Sequence, residues 1–414
     1  MKFLRQLIKR STSSNKSFHE LKHPELAYLS NANMQPQSNR SSPASVTGGL
    51  VHMGLDDFCY QYRGQKQNDG TVSFENVTQK IELSQMKHKA KYLKGHYLFG
   101  GPIFNHFGHF LAESIHRLMD YKLLDDSIGI EKVIFQTQRP GIKRLISGSG
   151  LPPQFYETLS YLGIPKDKIL LQTSPLIAEH LWVGKQQSYF RNVAELSPKY
   201  LSFLSQRETR LNCAQQTPKK VYVSRVNFLF RGAFSGERYI ESIMESNGFT
   251  IYHPEKHDLI DQLVTYKNAE QLIFAEGTAI HVLELLAKVD AKIGVIRRRK
   301  LALDAIETPL SARSKQWTYT EELTPLPSLL IAKGHKSPAT GSAISFLHAP
   351  QLASYLLTEF GIQGFNIATY TEQAVIDLRV YRDHYSEKLE DTEHGQIALN
   401  NYDEVLNKLL TLAN

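Results

Sequence analysis

Only two cysteines, Cys59 and Cys213, occur in 414 residues. That excludes a disulfide framework and fits a reducing compartment. No stretch approaches the roughly 20 consecutive apolar residues that span a bilayer. The opening MKFLRQLIKR lacks the continuous apolar core and small-residue cleavage site of a secretory signal. HExxH occurs once, at His19–His23, outside any cluster of further ligand-type residues in helical register, and no DxD is present. The nearest acidic pairs, Asp56-Asp57 and Asp125-Asp126, fall too early and in a loop after a helix. There is no repeat of fixed period and no nucleic-acid signature, which sets nucleic acid aside as a partner. Charged residues make up 21% and hydrophobic ones 41%, which excludes a disordered chain and describes a soluble globular one.

The charge that is present is lopsided. The formal net charge is +7 and the pI about 9.1, a balance suited to a polyanion, an anionic membrane surface or a phosphorylated substrate. In the first ten residues Phe3, Leu4, Leu7 and Ile8 lie on one helical side, Lys2, Arg5, Lys9 and Arg10 on the other. This reads either as a weak interfacial foot on an anionic inner leaflet or as a frayed helix. The expected location is cytoplasmic, peripheral at the inner membrane.

At this length two domains are expected. Residues 1–45, the basic segment followed by a Ser-, Asn- and Pro-rich stretch, read as a linker or draped arm. Over 46–212, β-like runs at 46–53, 58–62, 77–83, 92–99, 132–136, 168–172 and 176–183 alternate with helical stretches at 152–162 and 198–212, giving a first α/β lobe. Over 213–370 the alternation is more regular. Strands are expected at 220–224, 250–253, 271–275 and 292–297, and helices at 237–247, 258–268 and 277–287. Such alternation specifies a doubly wound, Rossmann-like lobe. Residues 371–414 form a helical tail expected to pack back on the first lobe.

The segment Gly100–Tyr121, GGPIFNHFGHFLAESIHRLMDY, carries the first cluster of chemistry. His106, His109, Glu113, His116 and Asp120 follow one another at steps of three and four, which on a single helix would form one polar stripe. Phe107, Phe110, Leu111, Ile115 and Leu118 make the remainder apolar, so the helix is expected to be buried. Buried ionisable groups must be paired or line a cavity. Three readings compete: a structural helix, a metal site built from His106, His109 and Glu113, and a catalytic carboxylate, Glu113, tuned by His109 and His116. The third is favoured, with no metal ligands assigned.

The second cluster sits at strand ends in the later lobe. Ser224 and Arg225 leave the strand KVYVS, and Arg231 follows in the loop before Glu237. Arginine forks suit diphosphate oxygens. The strand QLIFA runs into Glu276-Gly277-Thr278, where a helix start offers free N–H groups to an anion. Ser224, Arg225, Arg231, Glu276, Gly277 and Thr278 are therefore the candidate donor-binding set.

The pattern N-x-x-x-H-F-L-x-E followed by Arg117-Leu118 resembles the N-terminal motif of glycosyltransferase family 61. VYVSR, Arg231, Glu237, NGF, Gln262 and the AEGTA element resemble its C-terminal signature. Together these cover roughly Asn105 to Arg297. The resemblance implies a metal-independent, inverting transferase of the GT-B type, with two Rossmann-like lobes and C-terminal helices. It implies a UDP- or other NDP-sugar donor, no further cofactor, and a glycan or lipid-linked acceptor in bacterial capsule or lipopolysaccharide synthesis. Glu113 would be the base, His109 the motif histidine, and Arg225 and Arg231 the diphosphate grip. Glu276 departs from the pattern, standing where members commonly carry His or a small residue. Two other readings remain open: a non-catalytic glycan or nucleotide-sugar binding protein, and a metal-dependent hydrolase using His106, His109 and Glu113.

Overall fold

The computed structural model describes residues 26–35, 37–38, 49–51, 65–66, 72–73, 90–104, 106–139, 151–188, 196–211, 217–300, 303–331 and 340–413. The basic N-terminal segment, both cysteines, Asn105 and the β-like runs at 58–62 and 77–83 lie outside these. The chain divides into two compact units, Met1–Thr209 and Arg210–Asn414. Among the described residues no helix is long and apolar enough to cross a membrane.

The first unit is built on a seven-stranded mixed sheet. Its long central strand, β2 (Lys91–Ile103), lies parallel to β3 (Ile130–Arg139) on one side and β5 (Leu176–Gly184) on the other. A short strand, β4 (Ile169–Gln172), extends the sheet from β3. Along β2 exposure falls from the solvent-facing Lys91 and Tyr92 to seven consecutive buried residues, Tyr97–Ile103. This strand therefore delivers the chain into the core just before the polar segment begins.

One expectation is corrected here. Leu26–Gln35, placed within a linker by its Ser- and Asn-rich surroundings, is a ten-residue strand, β1, antiparallel to β5. Leu26 through Leu29, Ala32 and Met34 are all buried. Its first four residues are all buried, while Ser30 and Asn31 are exposed, so the strand is continuously apolar only at its start. Leu29, Met34, Phe99, Ile134, Leu181 and Val183 belong to one core cluster. The helices of this unit are α1 (Tyr121–Ile128), α2 (Pro153–Tyr161) and α3 (Pro198–Glu208). Helix α3 starts where its sequence specifies: the Ser197 side chain accepts the Tyr200 N–H, and Pro198 opens the first turn.

The second unit holds a five-stranded, all-parallel sheet of β6 (Lys220–Val223), β7 (Thr250–Tyr252), β8 (Gln271–Ala275), β9 (Lys292–Ile296) and β10 (Trp317–Tyr319). The spatial order is β7-β6-β8-β9-β10. Counted within the unit this is 2-1-3-4-5, a doubly wound order whose switch point falls between β6 and β8. Helices α4 (Glu237–Ser246) and α5 (Leu259–Asn268) connect its first three strands. After β8 the helix expected over 277–287 is a 3-10 helix, Thr278–Leu285. Its last carbonyls are taken by a side chain: Arg313 donates to the oxygens of Glu284 and Leu286 at 3.1 and 2.9 Å. Within the segment i→i+3 bonds close, such as Leu286 N–H to the Leu283 oxygen.

Helices α6 (Leu303–Ser311), α7 (Ala349–Phe360), α8 (Ile367–Leu389) and α9 (Glu393–Ala413) complete the unit. The tail does not lack a core of its own. Tyr370 and Ala374 of α8 pack with Tyr222, Phe234, Ile273 and Leu356. Further along, Leu378, Tyr381 and Tyr385 pack with Leu399 and Tyr402 of α9. The buried faces of these two helices thus pack into the second unit.

Candidate active site

The polar segment of the first unit is not one helix. Gly100–Ile103 complete β2, a single α turn spans Phe107–His109, and a π-helical turn covers Phe110–Ser114. The helical path then stops because other segments capture its backbone. The Gln186 side chain donates to the Glu113 carbonyl at 3.0 Å, and the Gln187 N–H to the His116 carbonyl at 3.2 Å. The single polar stripe is therefore corrected to two groups.

His109 and Glu113 form the first group. The His109 Nδ1 lies 2.8 Å from Glu113 Oε1, with side-chain exposures of 29% and 6%. The His106 ring tilts against that of His109, 5.1 Å between centroids. A nearly buried carboxylate thus sits behind a partly exposed imidazole. A π turn is a common device at functional sites because it widens the helix and re-aims side chains.

His116 and Asp120 face the core instead. The wholly buried His116 places Nδ1 2.7 Å from the Tyr200 hydroxyl, its ring edge-on to that of Tyr200. Asp120 Oδ1 pairs with Lys199 at 2.8 Å. Both contacts reach α3, so these residues anchor that helix. Arg117, from the same motif, is buried as well, with Nη1 donating to the Gly184 carbonyl at 3.0 Å. Gly184 is required there, since a β-carbon would stand 2.5 Å from the Arg117 carbonyl oxygen. Among the described residues no three His, Cys, Asp or Glu side chains are placed to hold a metal ion.

In the second unit the candidate donor residues meet at the carboxyl ends of β6 and β8, the two strands flanking the switch point. Crevices of that kind are where doubly wound sheets take ligands. A buried carboxyl, Glu237 at the start of α4, organises the β6 end. Its Oε1 accepts the Arg225 N–H at 2.7 Å, the Tyr222 hydroxyl at 3.1 Å and the Ser224 hydroxyl at 3.3 Å. Burial pushes this carboxyl up to about 7, against the lowering effect of those donors. Its Oε2 is buried with no partner among the described residues.

Ser224 is consequently a buried support. The Arg225 guanidinium turns back on its own loop, Nη2 donating to the carbonyls of Arg231 and Gly232 at 3.4 and 3.0 Å. Its Nη1 fills the space above Gly277, only 2.6 Å from where a β-carbon there would sit. Burial holds the Arg225 pKa below the usual arginine value. Arg231 is exposed, at the end of a 3-10 segment, Val226–Arg231. Gly277 is extended and Thr278 begins the 3-10 helix, both half-buried.

Glu276 is engaged by two arginines of its own unit. It is 2% exposed, and its Oε2 accepts the Arg298 and Arg299 N–H groups at 2.9 and 3.2 Å. Its Oε1 takes the Arg299 guanidinium at 2.5 Å. Sequence reasoning left Arg298 and Arg299 out of the site, and treated Glu237 as part of a signature only. The legible signal was the run Arg297-Arg298-Arg299-Lys300 leaving a buried strand.

Residues 107–288 match the family model described as Glycosyltransferase 61, a segment that includes Glu113, Arg225 and Glu276. No curated protein matches the chain. By its family segment the chain is a glycosyltransferase, similar in kind to family 61.

Proposed function

We propose that this glycosyltransferase moves a sugar from a nucleotide-sugar donor to a hydroxyl of a glycan or lipid-linked acceptor, inverting the anomeric centre without a metal. The reading takes the two α/β units as the lobes of a GT-B enzyme. The observation that carries it is the meeting of Ser224-Arg225 and Glu276-Gly277 at the switch point of the second unit's sheet.

In this mechanism Glu113 takes the acceptor hydroxyl proton while that oxygen bonds to the anomeric carbon. The bond from that carbon to the donor phosphate breaks, and its electron pair leaves on the phosphate oxygen. His109, bonded to Glu113 and partly exposed, orients the carboxylate and passes the proton outward. His116 holds α3 rather than touching substrate. Arginines at the β6 and β9 ends supply the positive charge a departing diphosphate needs.

For the acceptor, the +7 charge and the basic N-terminal stripe favour an anionic or lipid-linked surface glycan. We read this as capsule or lipopolysaccharide assembly at a bacterial inner membrane, with the enzyme cytoplasmic. The test is nucleoside diphosphate release from a panel of UDP-, GDP- and dTDP-sugars. Release with at least one donor, lost in Glu113→Gln, supports the reading. Binding of a donor with no turnover under any acceptor condition would make the protein a binder.

A further inference from the structure

The family match ends at residue 288, yet the densest positive charge of the second unit lies just past it. Arg297, Arg298, Arg299 and Lys300 leave β9 next to the end of β8. Arg298 is buried, with Nε donating to the Glu276 carbonyl at 3.1 Å and Nη1 to the Gly341 carbonyl at 3.0 Å. Burial, with Arg299 and Arg225 close by, pushes Arg298 down to about 9. Three arginines from two strand ends, Arg225, Arg298 and Arg299, thus gather around one buried carboxyl group, Glu276.

Charges gathered in this way need a counter-ion, since buried charge without a partner is costly. The three arginines are not equally able to meet one. Arg298 is buried and gives Nε and Nη1 to backbone carbonyls, and Arg225 turns Nη2 to two carbonyls of its own loop, with Nε buried and without a partner among the described residues. Arg299 is bound by Glu276 on one edge, while its side chain stays 34% exposed. Glu276 also clamps the backbone of residues 298 and 299 through its other oxygen. A part-exposed guanidinium already fixed along one edge is pre-ordered to receive a phosphate.

We infer that Arg299 is the direct cationic contact for the donor's phosphates in this chain, with Glu276 as its positioning residue. This rests on the nucleotide-sugar reading and deepens it. It also gives the acid at position 276 a purpose: it aims the arginine and does not touch the ligand.

Calorimetry on the full chain tests the inference, using UDP, GDP and dTDP and, for whichever binds tightest, its uncharged nucleoside. Arg299→Ala should weaken nucleoside diphosphate binding tenfold or more and leave nucleoside binding unchanged. Arg299→Lys, which keeps the charge but loses the fork, should fall between. Glu276→Gln should weaken binding at least threefold, although it removes a negative charge next to an anion site. Tighter binding by that variant would show that Glu276 merely repels, and would overturn its positioning role. Wild-type affinity in folded Arg299→Ala, or in Arg299→Lys if the alanine variant does not fold, would overturn the inference alone. Failure of the wild type to bind any of the three would overturn the nucleotide-sugar reading and this inference with it.

Discussion

His109 Nδ1 and Glu113 Oε1 lie 2.8 Å apart, the imidazole facing outward and the carboxylate almost wholly buried. The order matters for proton transfer. A base that takes a proton in a confined space must later lose it, and the partly exposed ring lies between Glu113 and water. His109→Asn should therefore lower turnover by about tenfold to a hundredfold, a smaller loss than a general base contributes. Donor affinity should stay the same. Steady-state kinetics beside calorimetry would check this, and a loss confined to KM would instead make His109 a binding residue.

His116 is predicted to act through stability. Its Nδ1 shares a hydrogen with the Tyr200 hydroxyl in a fully buried contact. Tyr200→Phe should cost about 1 kcal/mol, the usual net worth of such a bond. Urea denaturation would show this, with nucleoside diphosphate binding unaffected. A large loss of turnover at unchanged stability would return His116 to the chemistry.

Glu237 gives the second unit a pH dependence of definite sign. Burial raises its pKa from 4.5 to about 7, so between those values the folded unit holds a proton that the unfolded chain has released. Its contribution to stability is complete below about pH 4.5 and is lost as pH rises through about 7. Between pH 5 and 7 the urea midpoint of the wild type should fall, while that of Glu237→Gln, which has no proton to release there, should not follow it. Parallel midpoints across that range would contradict the shift.

Gly277 is predicted to be intolerant of the smallest side chain. A β-carbon there would meet Arg225 Nη1 at 2.6 Å and its Cδ at 2.8 Å. Gly277→Ala should displace the guanidinium from the Arg231 and Gly232 carbonyls and loosen the loop. Donor affinity should drop about tenfold, without any change in net charge. Equal affinity would mean that Arg225 moves aside at no functional cost.

Much of the second unit was legible because its strands are short apolar runs between helices with clear caps. QLIFA is a strand over its expected bounds, and α5 begins after Asp258, whose side chain accepts the Asp261 N–H. The polar segment of the first unit was legible in composition but not in path. The spacing of His106 to Asp120 fits a helix, yet the distant Gln186 side chain and Gln187 N–H take the carbonyls that would carry that helix on. Leu26–Gln35 was hidden by its composition: the apolar run Leu26–Leu29 is short, exposed Ser30 and Asn31 interrupt it, and the Ser- and Asn-rich flanks read as linker. Glu276 shows the limit most clearly. Sequence gave an acid at an anion site, and only the folded chain supplies the Arg299 that neutralises it.

The central claim is that Glu113 removes the acceptor proton while the second unit holds the donor. It is tested most directly by measuring donor binding and nucleoside diphosphate release together in Glu113→Gln. A base acts on the transition state, so the account predicts binding within about twofold of wild type and turnover reduced by about a hundredfold or more. Turnover within about tenfold of wild type, at equal binding, would contradict it.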